Sequence, residues 1–196
     1  MVRSFSSEAV APEAIERILD VARRGPSAGY SQGVEFVLVT DEAVRRQVSA
    51  EPEALKKSGL PNFVAQAAAL IVVCTSAEIY TSRYREGDKA RLREGQEGAT
   101  ADENFWTVPY WHTDAGAALM LILLAAVNEG LGAGVAGVMG REGQERMQRV
   151  LAMPETYTAV AIVAIGYEAV DARQFGGSAR TRKRRPLDEV VHRDRW

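Results

Sequence analysis

Three short stretches of this sequence hold the residue types best suited to chemistry. Near the C-terminus, Arg180, Arg182, Lys183, Arg184 and Arg185 crowd together. Guanidinium forks at that density could clamp a phosphate, or the run could be a solvated tail. Gly132-Ala133-Gly134-Val135-Ala136-Gly137 matches G-x-G-x-x-G. A dinucleotide site needs that pattern after a strand and opening into a helix, so that backbone amides meet the pyrophosphate. Here it follows a long helical pattern and runs into a strand-like segment, so a Rossmann site is rejected. Phe105, Trp106, Tyr110 and Trp111, interrupted by Pro109, could wall a pocket for a flat molecule or pack a core or subunit contact.

Other chemistries lack their residues. No G-x-S-x-G elbow is present. His112 and His192 are far apart, with no carboxylate or cysteine at ligand spacing, so no metal site is expected. The single cysteine, Cys74, allows no internal disulfide and sits in the apolar run Leu70 to Cys74, as a small buried residue would. A formal charge of -2 argues against a polyanion binder, and the basic run lacks the broad face that nucleic acid requires. No signal-peptide apolar region opens the chain. The longest apolar run, Ala115 to Val127, falls short of the ~20 residues that cross a bilayer. The expectation is a cytoplasmic protein with no membrane or nucleic-acid partner.

The elements that must position these residues follow from periodicity. With 196 residues, 46% of them hydrophobic and 26% charged, the chain suits one domain over 1–196. Residues 12–24 read as an amphipathic helix with Pro12 in its first turn and Ile15, Ile18, Leu19 and Ala22 on one face. Gly25-Pro26 ends it, and the polar turn 27–33 leads into a strand over Val34 to Thr40. A helix capped by Asp41 follows. Leu70 to Cys74 reads as a strand covered on both faces. From 77 to about 105 no apolar face is sustained, which fits a lid or excursion, or else a solvated surface helix. The helix through Ala115 to Val127 is apolar on nearly every side and needs cover all round, which a subunit interface would supply. Gly130 to Gly140 reads as a glycine-rich connection. A short helix over 142–151, a strand over Thr158 to Gly166, and an irregular polar tail complete the chain.

In succession these segments resemble the nitroreductase family. Pro26-Ser27-Ala28-Gly29-Tyr30-Ser31-Gln32-Gly33 is similar to its P-S-x-x-N-x-Q-P turn, and Arg3-Ser4-Phe5 to the end of its R-R-S-x-R-x-F opening. Asp114-Ala115-Gly116-Ala117-Ala118 and Gly130-Leu131-Gly132 resemble its central helix and exit. Gly166-Tyr167 and the stretch Arg184 to His192 resemble its last strand and tail. The resemblance implies an α+β fold with a central, mostly antiparallel sheet flanked by helices. It also implies an intertwined homodimer built on the long apolar helix, with FMN at the interface.

By that resemblance Arg3 sits near the flavin pyrimidine. Pro26, Ser27 and Ala28, with Tyr30 and Gln32, reach the FMN bound mainly to the other subunit. Gly137, Val138, Met139 and Gly140 pass the central ring, with the Met139 or Gly140 amide donating to N5. Arg182 and Arg184 hold the phosphate, although Lys183 and Arg185 fit nearly as well. The flavin carries the chemistry, so no catalytic side chain is assigned. Trp106, Tyr110 and Trp111 are the substrate-binding candidates.

The implied activity is ping-pong reduction of nitroaromatic, quinone or similar acceptors by NADPH or NADH. A dehalogenase, a flavin-fragmenting relative and a flavin binder without turnover are the alternatives. Met1 falls two to three positions late relative to the family's opening. That leaves more of the phosphate affinity to the C-terminal arginines, or points to a start upstream. Tyr30 in place of asparagine and Gly33-Val34 in place of Pro-Trp bear on pocket shape.

Overall fold

The computed structural model describes residues 1–50, 62–92, 106–170 and 182–196. Phe105, Arg180 and the part of the expected excursion beyond residue 92 lie outside that set. Four strands form one sheet: β1 (Val34–Val39), β2 (Ala69–Thr75), β3 (Gly132–Gly137) and β4 (Thr158–Gly166). They lie in the order β1-β2-β4-β3, and every pairing is antiparallel.

Alternation along β2 explains the layers. Ala69, Ile71 and Val73 face one core with α1 (Pro12–Ala22) and the long helix α5 (Tyr110–Asn128). Leu70, Val72 and Cys74 face a second core. That core is closed by α2 (Glu42–Val48), α3 (Phe63–Gln66) and α6 (Gly140–Leu151). A strand with both faces covered reads as a near-continuous apolar run, and all seven residues of β2 are buried, the one polar residue, Thr75, donating its hydroxyl to the Gly33 carbonyl at 2.9 Å.

Local signals behave as their chemistry demands. Pro12 occupies the first turn of α1, and Ile15, Ile18 and Ala22 are buried. The helix stops at Ala22, two residues short of the expected 24, ahead of Gly25-Pro26. Asp41 caps α2 by accepting the Val44 N–H at 2.9 Å.

Two expectations need correction. The glycine-rich segment after α5 is a strand, β3, rather than a loop. Its glycines admit the N-terminal segment, which lies across it: a Cβ on Gly134 would stand 2.3 Å from the Val2 carbonyl oxygen. Val2 N–H donates to the Ala133 carbonyl at 2.8 Å. The excursion from 77 begins as a docked helix, α4 (Ala77–Arg83), whose Tyr80 is fully buried. One aromatic ring anchors it, so the run carries no periodic apolar face.

α5 is also longer than its apolar run. At 19 residues with a mean hydropathy of 1.4, it could cross a membrane by length and composition alone. Ala115, Ala118, Ile122, Ala125 and Ala126 are buried against the sheet and α1.

Candidate functional site

The turn after α1 is built under constraint. Gly29, Tyr30 and Gln32 have φ of 61°, 56° and 53°. A tyrosine and a glutamine in the left-handed region persist only where their surroundings over-determine them. Ser27 Oγ accepts the Gln32 N–H at 3.0 Å, and Ser31 Oγ donates to the Ala28 carbonyl at 2.6 Å. From outside, the Asp114 carboxylate accepts the Ala28 N–H at 2.8 Å and the Tyr80 O–H at 2.7 Å. Burial and this carboxylate raise the Tyr80 hydroxyl above its ordinary range, so it stays a donor at any working pH.

Tyr80 also fills the space a side chain at residue 33 would need, and Tyr84 does the same at residue 29. A Cβ at either glycine would lie 2.4 Å from the facing ring. The departure from the family pattern at Gly33 therefore falls where the turn is packed against Tyr80, whereas the one at Tyr30 falls on an exposed side chain.

A second part forms where β3 ends. Gly137, Met139 and Gly140 are exposed, and Gly140 opens α6 with φ of 68°. A Cβ on Gly140 would meet nothing within 4 Å, and one on Gly137 only the Met139 Cγ at 3.9 Å. The backbone edge is thus open to close approach. Gln144 holds it from behind: its amide nitrogen donates to the Ala159 carbonyl at 2.8 Å and the Val138 carbonyl at 3.4 Å, while its oxygen accepts the Ala159 N–H at 3.0 Å.

Beside this edge lies a cleft of about 180 Å³, walled by Val48, Phe63, Val64, Ala136, Gly137, Met139 and Ile162, among others. Asn62 and Ser49, also on its wall, spend their polar atoms on local bonds. Arg146 lines it too, and its Nε is buried with no hydrogen-bond partner among the described residues. Glu142, the other charged residue there, is exposed.

The remaining candidates are distributed unevenly. Arg3 is exposed, on a segment tied down by Val2 to Ala133, by Ser6 N–H to the Tyr167 carbonyl at 2.9 Å, and by a bridge from Phe5 to Glu168. A Cβ on Gly134 would meet both the Val2 carbonyl, next to Arg3 in the chain, and the ring of the cleft-lining Phe63. Trp106 is buried, with Tyr80, Tyr84, Tyr110 and Trp111 in edge-to-face contact at 4.8–6.4 Å between centroids. Tyr110 is exposed, and Trp111 is half-buried. Arg182 and Arg184 are exposed in the tail, whose described hydrogen bonds stay within residues 185–191. The structure thus brings the turn next to the aromatic cluster, and the glycine edge next to the cleft. Among the described residues no hydrogen bond or ion pair joins the tail arginines to either.

Cys74 is buried, and burial followed by Glu35 pushes its thiol up to about 11, which leaves it protonated and inert. Among the described residues no group of histidine, cysteine, aspartate and glutamate could hold a metal ion. Sequence reasoning missed Tyr80, Gln144 and Arg146, and named Asp114 without a role. Asp114 alone had a signal, as a carboxylate heading an apolar helix.

Fold and site define an α+β protein that presents a constrained polar turn and an open backbone edge beside an apolar cleft. A sequence model of the nitroreductase family matches residues 1–167. An Archaeoglobus fulgidus protein with the provisional name NADH dehydrogenase/NAD(P)H nitroreductase is 29% identical, over 100% of this chain and 92% of its own. Among solved structures, a provisionally named NADH dehydrogenase/NAD(P)H nitroreductase from Bacteroides thetaiotaomicron superposes with a TM-score of 0.68 at 23% identity. It covers 100% of this chain and 92% of its own. An FMN-dependent nitroreductase from Clostridium difficile superposes with a TM-score of 0.67 at 21% identity, over 100% and 94%. The chain belongs to the nitroreductase family.

Proposed function

We propose that the protein is a cytoplasmic, homodimeric FMN-dependent oxidoreductase. It uses NADPH or NADH to reduce nitroaromatic, quinone or similar small acceptors in a ping-pong cycle. The observation that carries this reading is the open Gly137–Gly140 edge beside a cleft lined by Arg146, whose buried guanidinium Nε–H has no partner among the described residues. A flat ring with carbonyl oxygens suits that chemistry. Apolar walls cover its body, a backbone free of side chains admits close approach, and Arg146 supplies a donor that otherwise lacks an acceptor.

When bound, the flavin supplies the hydride and electron transfer. The chain's residues bind and orient it. The Met139 or Gly140 amide donates to N5. Arg3, which makes no ion pair among the described residues, balances negative charge at the pyrimidine edge. Arg182 and Arg184 take the phosphate, for which charge-assisted bonds are the strong choice. Pro26, Ser27 and Ala28, with Tyr30 and Gln32, face the flavin bound mainly to the other subunit. Tyr110 and Trp111 offer aromatic surface to a flat acceptor, with Trp106 buttressing them from below.

A visible spectrum of the purified protein, followed by anaerobic NADPH or NADH, tests donor and cofactor together. Flavin absorbance that bleaches with nicotinamide and returns with a nitroaromatic or quinone is expected. Protein that stays colourless after soaking in FMN would overturn the proposal.

A further inference from the structure

We infer that Asp114 is a positioning residue that ties the flavin-facing turn and the aromatic acceptor wall into one unit; this rests on the flavin reading above. Asp114 is 8% exposed. Burying a carboxylate is costly unless hydrogen bonds compensate it, and among the described residues no cation pairs with it. Its compensation is two donors converging on one oxygen, Oδ2, from two different elements. One is the Ala28 N–H, at the start of a turn whose Gly29, Tyr30 and Gln32 all have positive φ. The other is the Tyr80 O–H on α4. The Tyr80 ring occupies the slot left open by Gly33 and meets Trp106 and Trp111 edge-on at 6.4 and 6.2 Å. Loss of the carboxylate would free the strained turn on one side and the tyrosine beneath the aromatic wall on the other. A neutral amide oxygen at the same place could still accept both bonds.

Three variants separate this role from general packing. Binding is read as quenching of FMN fluorescence by apoprotein, and the acceptor step as KM for a nitroaromatic. Asp114→Leu is expected to raise both the FMN Kd and the acceptor KM by at least about tenfold, the worth of a hydrogen bond to a charged group. Asp114→Asn is expected to recover most of both. Tyr80→Phe, which cuts the tie to α4 and leaves the Ala28 N–H on Asp114 in place, is expected to raise the acceptor KM while the FMN Kd stays near wild type. It also keeps the inference testable if Asp114→Leu fails to fold. An unchanged FMN Kd in Asp114→Leu, or equal effects of Tyr80→Phe on Kd and KM, would overturn it. Wild-type apoprotein that does not quench FMN would instead overturn the flavin reading itself.

Discussion

Two residues carry opposite kinds of information about this molecule. Gly33 is a packing necessity, because the fully buried Tyr80 ring leaves no space for a Cβ. Gly33→Ala is therefore expected to destabilise the fold by about 1–3 kcal/mol, the usual cost of overpacking, read as a lower urea midpoint at unchanged m-value. Arg146 is the reverse case. Its buried Nε has no acceptor among the described residues, and an unsatisfied buried donor costs about 1–3 kcal/mol. Arg146→Leu removes that cost and keeps the apolar stem. Unfolding of the apoprotein is expected to show stability at or above wild type. FMN affinity in the same variant is expected to fall by about tenfold or more, since a charged donor to a ligand oxygen is lost. A fall in stability with unchanged FMN affinity would mark Arg146 as structural.

At the scale of elements, legibility tracks how local the cause is. α1, α2 and β2 were readable because Pro12, the Asp41 cap and the apolar run Leu70 to Cys74 act within their own segments. β3 was not, because its glycines answer to Val2, more than a hundred positions away. The candidate site divides the same way. The turn at 26–33 and the glycine edge at 137–140 stand out as sequence, yet the partners of Asp114 lie 86 and 34 positions off. Arg146 looks like any cation on an amphipathic helix until the cleft beside it is seen.

Another long-range tie joins the edge strand β1 to the chain entering β4, where the Tyr157 hydroxyl donates to the Glu35 carboxylate. That bond, aided by burial, pushes the Tyr157 hydroxyl up to about 12 from an ordinary 10. A raised folded-state value means the native state keeps the proton longer than the unfolded chain. The stability it contributes is complete below pH 10 and is lost as pH rises through about 12. Urea unfolding from pH 9 to 12 is expected to lose part of its alkaline decline in Tyr157→Phe. Equal slopes for both proteins would show that the bond adds nothing in solution.

For the whole molecule, the telling surface is the outer side of α5. Its inner residues are alanine-rich and bury against the sheet and α1, which lets the helix sit close. On the far side Met120, Leu124 and Val127 are 51%, 62% and 71% exposed. They recur at i, i+4 and i+7, so they form one stripe rather than scattered contacts. Large apolar side chains aligned this way mark a surface made to be covered, and the proposed homodimer covers it with the same helix of a second copy. A carboxylate at the centre of that stripe would be desolvated on association and would face its own copy. Leu124→Glu is therefore expected to shift sedimentation from dimer to monomer. Far-UV circular dichroism should stay unchanged, because residue 124 faces away from both cores. Since the turn at 26–32 is proposed to serve the flavin of the other subunit, the same variant is expected to lose bound FMN along with its partner. A wild-type protein that sediments as a monomer while retaining flavin would refute the shared site and leave each chain to hold its cofactor alone.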